Sequence, residues 1–376
     1  MFKVAILGGG ISGVFAGIRI KENHSDFDVS IFEHNDKLLK KIYATGNGKC
    51  NFANIGSLKD KYHNEEFALR IIDAFDAQSI ISYFDSIGVK SKSIGDLIYP
   101  YSESAETVAS KLLNKVNELN IKVHLSINVI DYQNGQLQTD RGTFSYDALI
   151  ISIGGKSSPK LGSNASFWPV LLKHGYQMRE TNPSLCPIKT KENTKMVEGL
   201  RSKVKASLYQ NNKLIHQEDG ELLFKKDGLS GMVIFNMTHY INRLDNKNNV
   251  TIHLDFAPNM KGEYDSLVNP KIAKYLLDNK LDIHNTVFTF KNFYGYENSQ
   301  VTSGGIKLDN LNNDLSSKLE PHLYFIGEVV DIDAICGGYN MMWAFASAEK
   351  VNNSLTIKEA INTQTSKFNK KAPWKK

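Results

Sequence analysis

Gly8-Gly9-Gly10-Ile11-Ser12-Gly13 puts glycines at the three positions of a G-x-G-x-x-G turn. In that pattern Gly8 permits the tight turn, Gly10 lets a pyrophosphate approach the backbone, and Gly13 lets the next helix lie against the preceding strand. The free N–H groups at the helix start, with the positive end of its dipole, suit phosphate oxygens. Glu33 follows Gly13 by 20 residues, where a strand-end carboxylate accepts hydrogen bonds from ribose hydroxyls. Taken singly, such a turn also occurs for structural reasons alone, and Glu33 reads equally as a surface acid. A turn that follows a strand, opens a helix and precedes that acid points to a bound dinucleotide.

Two other segments carry polar groups where chemistry needs them. Lys41 to Asn54, KIYATGNGKCNFAN, is too long for a turn and too polar for a core; it can set backbone N–H groups and Asn side chains around a flat heteroaromatic edge, or be a surface loop. Gly327-Glu328-Val329-Val330-Asp331-Ile332-Asp333 and Cys336-Gly337-Gly338-Tyr339-Asn340 lie between an apolar strand and a helix, repeating the logic of the first turn. A helix starting near Asn340 aims its dipole at whatever sits there, which for a flavin favours negative charge at N1 and O2 on reduction. Glu328, Asp331 and Asp333 can bond ribityl hydroxyls; each is as readily a cap or a solvated acid.

Elements must hold these segments in place. Val4 to Leu7 is a continuous apolar run, as a parallel strand buried on both faces requires. Ser12 to Lys21 has apolar residues near helical spacing, with Gly17 allowing close packing, and Val29 to Phe32 is rich in strand formers. The first 33 residues therefore read as a βαβ unit. Residues 65 to 87 read as one or two helices, and Ser104 with Thr107 opens another that runs to about Asn120. Strands follow at Ile121–Leu125, Asn128–Tyr132, Gln136–Thr139 and Thr143–Tyr146, with Asn134-Gly135 as a type I′ turn, then a wholly apolar strand Ala148–Ile153 before Gly154-Gly155. Between about Cys186 and Gln300, candidates such as Ser202–Tyr209 and Val250–Phe256 alternate with polar loops and no second glycine fingerprint occurs. A last strand, Leu323–Ile326, leads to a helix from Asn340 to about Asn352. The expectation is a discontinuous domain at 1–186 and 301–357, an insert at 187–300 and a basic tail at 358–376.

The 376 residues have enough apolar content, 41%, for ordinary cores. No apolar run nears the roughly 18 residues that span a bilayer, and no basic region with a cleavage site precedes the first strand; the expected location is the cytoplasm, with no membrane partner. The net charge of +5 vanishes once Lys367, Lys370, Lys371, Lys375 and Lys376 are set aside. With no aromatic stacking pattern accompanying it, this tail reads as solvated rather than as a nucleic-acid patch. Cys50, Cys186 and Cys336 have neither CxxC nor zinc-site spacing, so no metal is expected.

The ordered set ILGGGISG, KKIYATGNGKCNFAN, IISIGGKSSPKLGS, GLSGMVIFNMT, TSGGI and LYFIGEVVDIDAICGGYNMMWAFASA resembles the bacterial BaiN/YhiN-like family of NAD(P)/FAD-dependent oxidoreductases, from residue 1 to about 350. The resemblance implies an α/β fold: a Rossmann-like, three-layer FAD-binding domain of the glutathione-reductase type, interrupted by a β-rich, partly helical insert, with flavin at their junction. It places Gly8, Gly10, Ile11, Ser12, Gly13, Glu33, His34 and the backbone of Val129 at the adenosine end. Asn47, Gly48, Cys50, Asn51, Gly327, Glu328 and Gly338, Tyr339, Asn340, Met341 fall near the isoalloxazine and ribityl, and Lys41, Gly46, Gly154, Gly155 and Asp331 complete the cofactor set. Two departures stand out: Lys49 replaces the arginine usual in the TGNG loop, losing a bidentate fork, and the insert is short.

The expected chemistry is hydride transfer through flavin N5, with NAD(P)H as transient donor and a small organic molecule, such as an unsaturated carbonyl compound, as acceptor; the flavin carries the difficult step. Tyr43, Cys50, Tyr101 and Tyr339 have suitable proton-donor chemistry, though each also reads as a packing or flavin-contact residue. Rival readings are an FAD-linked amine or amino-ketone oxidase, a tRNA-associated flavoprotein using the basic tail, and a flavin-binding protein without turnover.

Overall fold

A computed structural model describes residues 1–369, with side chains to residue 355. Its centre is a five-stranded parallel sheet in the order Leu323–Phe325, Ala148–Ile151, Lys3–Leu7, Asp28–Phe32, Lys122–His124. Ile6 pairs with Ile31 on one side and Ile150 on the other. Four residues of the first strand and all four of Ala148–Ile151 are buried, so both sheet faces are covered, as their apolar runs require. The chain leaves the first strand toward Asp28–Phe32 and later returns to its other side at Ala148–Ile151. That reversal creates a crevice at the carboxyl ends of the strands, where open α/β sheets bind ligands.

The chain's two ends meet as expected. Helix Ile11–Asn23 packs on the last helix, Tyr339–Asn369, through edge-on Phe15 and Phe345 rings 5.0 Å apart and an Arg19–Glu349 ion pair at 2.7 Å. This last helix starts one residue before Asn340 and runs well past Asn352. The expected tail at 358–376 overlaps it, and residues 370–376 lie outside the described residues. Residues 65–87 form two helices, Glu65–Ile72 and Ala77–Ser86. The hairpin turn has positive φ at both Asn134 (51°) and Gly135 (72°), the type I′ signature.

Strands Met178–Ser184 and Val301–Ile306 pair antiparallel and lead the chain into and out of the inserted region. There six antiparallel strands close a barrel: Ile188–Thr190, Gly228–Ser230, Lys213–Lys225, Arg201–Gln210, Val250–Asp255 and Thr286–Phe293. Leu222, Phe224, Ile252, Leu254 and Phe288 fill a core separate from that of the parallel sheet. The 13-residue strand Lys213–Lys225 escapes detection in the sequence because its middle, HQEDGE, is polar. Helix Met232–Ile241 starts from Gly231, whose φ of 97° and 2.3 Å approach of a would-be Cβ to the Glu221 carbonyl oxygen leave room only for glycine.

Candidate functional site

Gly8 closes the first turn with φ 109° and donates its N–H to the Phe32 carbonyl at 2.9 Å. A Cβ on Gly13 would lie 2.1 Å from the Gly8 carbonyl oxygen and 2.4 Å from Ser152 Oγ, so the helix start can press on the sheet only with glycine there. At Gly10 a Cβ would meet nothing within 4 Å. It would enter a cavity of about 870 Å³ that this residue lines, within the roughly 300–1,000 Å³ usual for ligand sites. The cradle therefore suits a dinucleotide: the helix presents its N-terminus to open space, with no acid in its first turn to repel phosphate.

Glu33, only 6% exposed, is engaged on both oxygens. Oε2 accepts the Gly9 N–H at 2.6 Å, while Oε1 accepts the Asn35 N–H at 2.8 Å and its amide at 2.7 Å, with His34 Nδ1 at 3.1 Å. This acid thus fixes the glycine turn as well as lining the cavity beside His34 and Val129.

Residues 40–48, expected as an irregular loop, form tight helical turns interrupted by left-handed Gly46 and Asn47. From this segment Lys41 Nζ reaches Glu328 Oε2 at 2.8 Å, and Glu328 Oε1 accepts the Thr302 N–H at 2.7 Å. Asn51, with its amide turned to satisfy both ends, donates to the Ala53 and Ile98 carbonyls at 2.9 and 3.0 Å and accepts the Gly338 N–H at 3.2 Å. Asn340 holds the loop before it by accepting the Ala334 N–H (2.9 Å) and donating to the Ala334 carbonyl (3.0 Å). The two polar segments, nearly 300 residues apart, therefore share one wall.

Gly8, Gly10, Ile11, Ser12, Lys41 and Gly46 line the cavity, as do Asn47, Asn51, Gly154, Glu328, Gly338, Asn340 and Met341. Gly13, Gly48, Cys50, Gly155, Gly327, Asp331 and Tyr339 are not on its wall. Gly327, with φ 71°, is where the first and last helices cross: its N–H donates to Ser347 Oγ, its carbonyl accepts Trp343 Nε1–H, each at 3.0 Å, and a Cβ would lie 2.5 Å from Ser12 Oγ. Asp331 faces His63 and Arg179 instead. None of Tyr43, Cys50, Tyr101 and Tyr339 lines the cavity. Cys50 is fully buried and its thiol is pushed up to about 12 by burial.

The far wall comes from the barrel. Leu223, Ser230, Met232 and Phe235 face the cavity, with Arg201 and Glu221 ion-paired at its edge. Cys336 lines it beside them. Burial, then the nearby Glu218 charge, push its thiol up to about 12, and its N–H donates to Asn236 Oδ1 at 2.9 Å. Asn236 in turn donates to Glu218 at 3.1 Å, tying barrel and parallel-sheet domain together. Sequence reasoning did not assign these barrel residues; the one signal was GLSGMVIFNMT, noted but given no role. Among the described residues no His, Cys, Asp or Glu cluster is arranged to hold a metal, and no helix is long and apolar enough to cross a membrane.

The sequence pattern of the family described as "HI0933-like protein Rossmann domain" matches residues 2–353. A 3-dehydro-bile acid delta(4,6)-reductase of Clostridium scindens is 27% identical, over 92% of this chain and 97% of its own length. A ribosomal RNA dihydrouridine synthase of Haemophilus influenzae is 25% identical, over 91% and 96%. Among solved structures, the open conformation of a flavocytochrome c3 fumarate reductase superposes with a TM-score of 0.50 at 12% identity, covering 93% of this chain and 77% of that one; it shares the fold.

Proposed function

The chain belongs to the HI0933-like Rossmann family, and we propose that, as an FAD-dependent oxidoreductase, it adds hydrogen to an electron-poor carbon–carbon double bond of a small organic substrate, using NAD(P)H as donor. The observation that carries this reading is the single cavity running from open Gly10 at the sheet, past the paired polar segments, to the apolar barrel wall at Met232 and Phe235. Its two ends suit two occupants, a cofactor and a substrate. The names of the two relatives support the type of reaction, since each describes hydrogen added across a double bond.

Bound FAD would supply the two-electron chemistry. The residues that would hold it are Gly8 to Gly13, Glu33, His34 and Val129 at one end, and Asn47, Asn51 and Gly338 to Met341 at the other. The last helix has no acid in its first turn, so its N-terminus favours negative charge on whatever lies against it. The Lys41–Glu328 pair holds the middle of the wall in one conformation. Phe235 and Leu223, with the exposed Met232 beside them, offer the substrate an apolar face. We assign residues 1–186 and 301–357 to the cofactor and 187–300 to the substrate.

The test is spectroscopic. The purified protein should carry a releasable yellow cofactor identified as FAD, bleach under NADH or NADPH without oxygen, and regain colour on adding an α,β-unsaturated ketone. A colourless protein that cannot be reconstituted with FAD rejects the reading. Recovery with uridine-containing RNA but no small enone would transfer it to an RNA substrate.

A further inference from the structure

Behind the cavity wall lies a cluster of charged side chains that binding of a dinucleotide does not use. His239, 0% exposed, sits one helical turn beyond the cavity-lining Phe235, and Asp333, 1% exposed, lies between the cavity-lining Ile332 and Ile335. Nδ1 of His239 faces Asp333 Oδ2 at 2.9 Å. Asp333 Oδ1 accepts from Ser303 Oγ at 3.2 Å. Arg243 and Tyr240 flank the imidazole from its own helix, the first with Nη2 3.5 Å from Nδ1 and the second with its ring edge-on at 5.2 Å. On the solvent side His63 contacts Arg179, and both approach Asp331 Oδ2, at 3.7 and 3.9 Å. The side chains of His63 and Arg179 are 16% and 32% exposed, and the His63 N–H donates to the Asp333 carbonyl at 2.7 Å, which ties this surface pair to the buried one.

A merely structural ion pair would leave its polar atoms satisfied. Here His239 Nε2, Asp331 Oδ1, Asn242 Oδ1 and Ser184 Oγ, gathered on these neighbouring elements, are buried with no hydrogen-bond partner among the described residues. Buried polar atoms are ordinarily hydrogen-bonded, so a set left in that state calls for an explanation, and a catalytic role is one that fits here. With Nδ1–H donated to Asp333, Nε2 is a lone pair open to a proton, and Asp333 stabilises the imidazolium that results.

We propose that His239, positioned by Asp333, is the proton store of the cavity, recharged from solvent on the His63 side. The inference rests on the double-bond reduction proposed above. In that reaction the π bond breaks as two C–H bonds form, one with a hydride whose electron pair comes from the nicotinamide donor through the cofactor. The other takes a proton, which His239 Nε2, behind the wall rather than on it, passes to the site through a bridging water while its Nδ1–H keeps the hydrogen bond to Asp333. Solvent restores it before the next turnover.

Two measurements on the FAD-loaded protein test this. First, ¹⁵N-histidine NMR should show His239 as the Nδ1–H tautomer near pH 8 and gaining the Nε2 proton, while the protein stays folded, as the pH is lowered below the ordinary imidazole range. A His239 that holds one protonation state throughout the folded pH range overturns the proposal. Second, in anaerobic stopped flow with NADPH and 2-cyclohexenone, His239→Gln should leave flavin bleaching unchanged but slow reoxidation by the enone about 100-fold, the scale of a lost acid–base step. Asp333→Asn should shift the alkaline limb of reoxidation to lower pH, which loss of a structural contact would not do. His63→Gln, nearer the surface, serves if the buried variants fail to bind flavin; it should lower the rate of steady turnover. Wild-type reoxidation rates and pH profiles in all folded variants overturn the proposal. A wild-type enzyme inert to enones counts against the reaction instead, and the NMR titration then decides the proton store alone.

Discussion

Replacing Gly10 by leucine separates binding from folding. The backbone there is extended, φ −72° and ψ −177°, which any residue adopts, and a Cβ meets nothing within 4 Å. A less flexible unfolded chain favours the variant by about 0.4–1 kcal/mol; losing glycine at the helix N-cap opposes it by up to about 1 kcal/mol. The apoprotein's Tm should therefore move by no more than about 1–2 °C for a chain of this length. In the holoprotein the isobutyl group would occupy the space a pyrophosphate needs. Displacing phosphate from two backbone donors removes about 3–6 kcal/mol, at about 1.5–3 kcal/mol for each bond to a charged group. At about 1.4 kcal/mol per decade, the Kd for FAD, read by flavin fluorescence on adding apoprotein, should rise at least ~100-fold. Gly13→Ala should do the opposite kind of damage: its Cβ would lie 2.1 Å from the Gly8 carbonyl oxygen, so stability itself falls by about 1–3 kcal/mol or more. A folded Gly10→Leu protein that binds FAD as tightly as the wild type would refute the assignment of the glycine turn.

Three further outcomes are expected. Burial holds the His239 imidazole below its ordinary 6.5 despite Asp333, so below that pH the unfolded chain binds the extra proton first. Stability should therefore decline from about pH 6.5 down to the folded value, and thermal melts of His239→Gln should show a shallower decline over that window. Lys41→Met leaves Glu328, still anchored to the Thr302 N–H, as an unpaired carboxylate on the cavity wall; FAD affinity should weaken about 10-fold, about 1.4 kcal/mol, in the same fluorescence titration. Burial pushes the thiols of Cys50 and Cys186 up to about 12, so iodoacetamide at pH 7.5 should label neither in the native protein by mass spectrometry and both after denaturation.

The middle of the parallel sheet was legible because Val4–Leu7, Ala148–Ile151 and Leu323–Phe325 are continuous apolar runs leading into glycine turns, and the glycine turn because its spacing is itself the geometry. The barrel was only half legible. Arg201–Gln210 buries alternate residues such as Val204, Ala206 and Leu208, whereas its long partner strand carries Gln217, Glu218 and Asp219 in mid-run, so no apolar period marks it. Within the wall, Asn47 and Asn51 could be picked out because polar residues in a glycine-rich stretch have few other reasons to be there. Phe235, Leu223 and Cys336 could not, since an apolar residue facing a cavity has the same sequence signature as one facing a core. Cys50 and Gly327 point the other way: motif position suggested contact, but one is sealed in the core and the other is occupied by a helix crossing.

The crossing at Gly327, with Ser12 Oγ 2.5 Å from where a Cβ would be, bears on how the protein is made. Barrel strands from Ile188 to Phe293 are contiguous in the chain and can collapse while synthesis continues, whereas the glycine turn, translated earlier, waits for the Glu328–Met341 stretch before its cavity has the wall that stretch lines. A nascent chain released before roughly residue 345 would present a finished barrel beside a parallel sheet whose first helix lacks its packing partner. Cofactor capture thus becomes a late event in synthesis, because it needs segments from both halves of the chain.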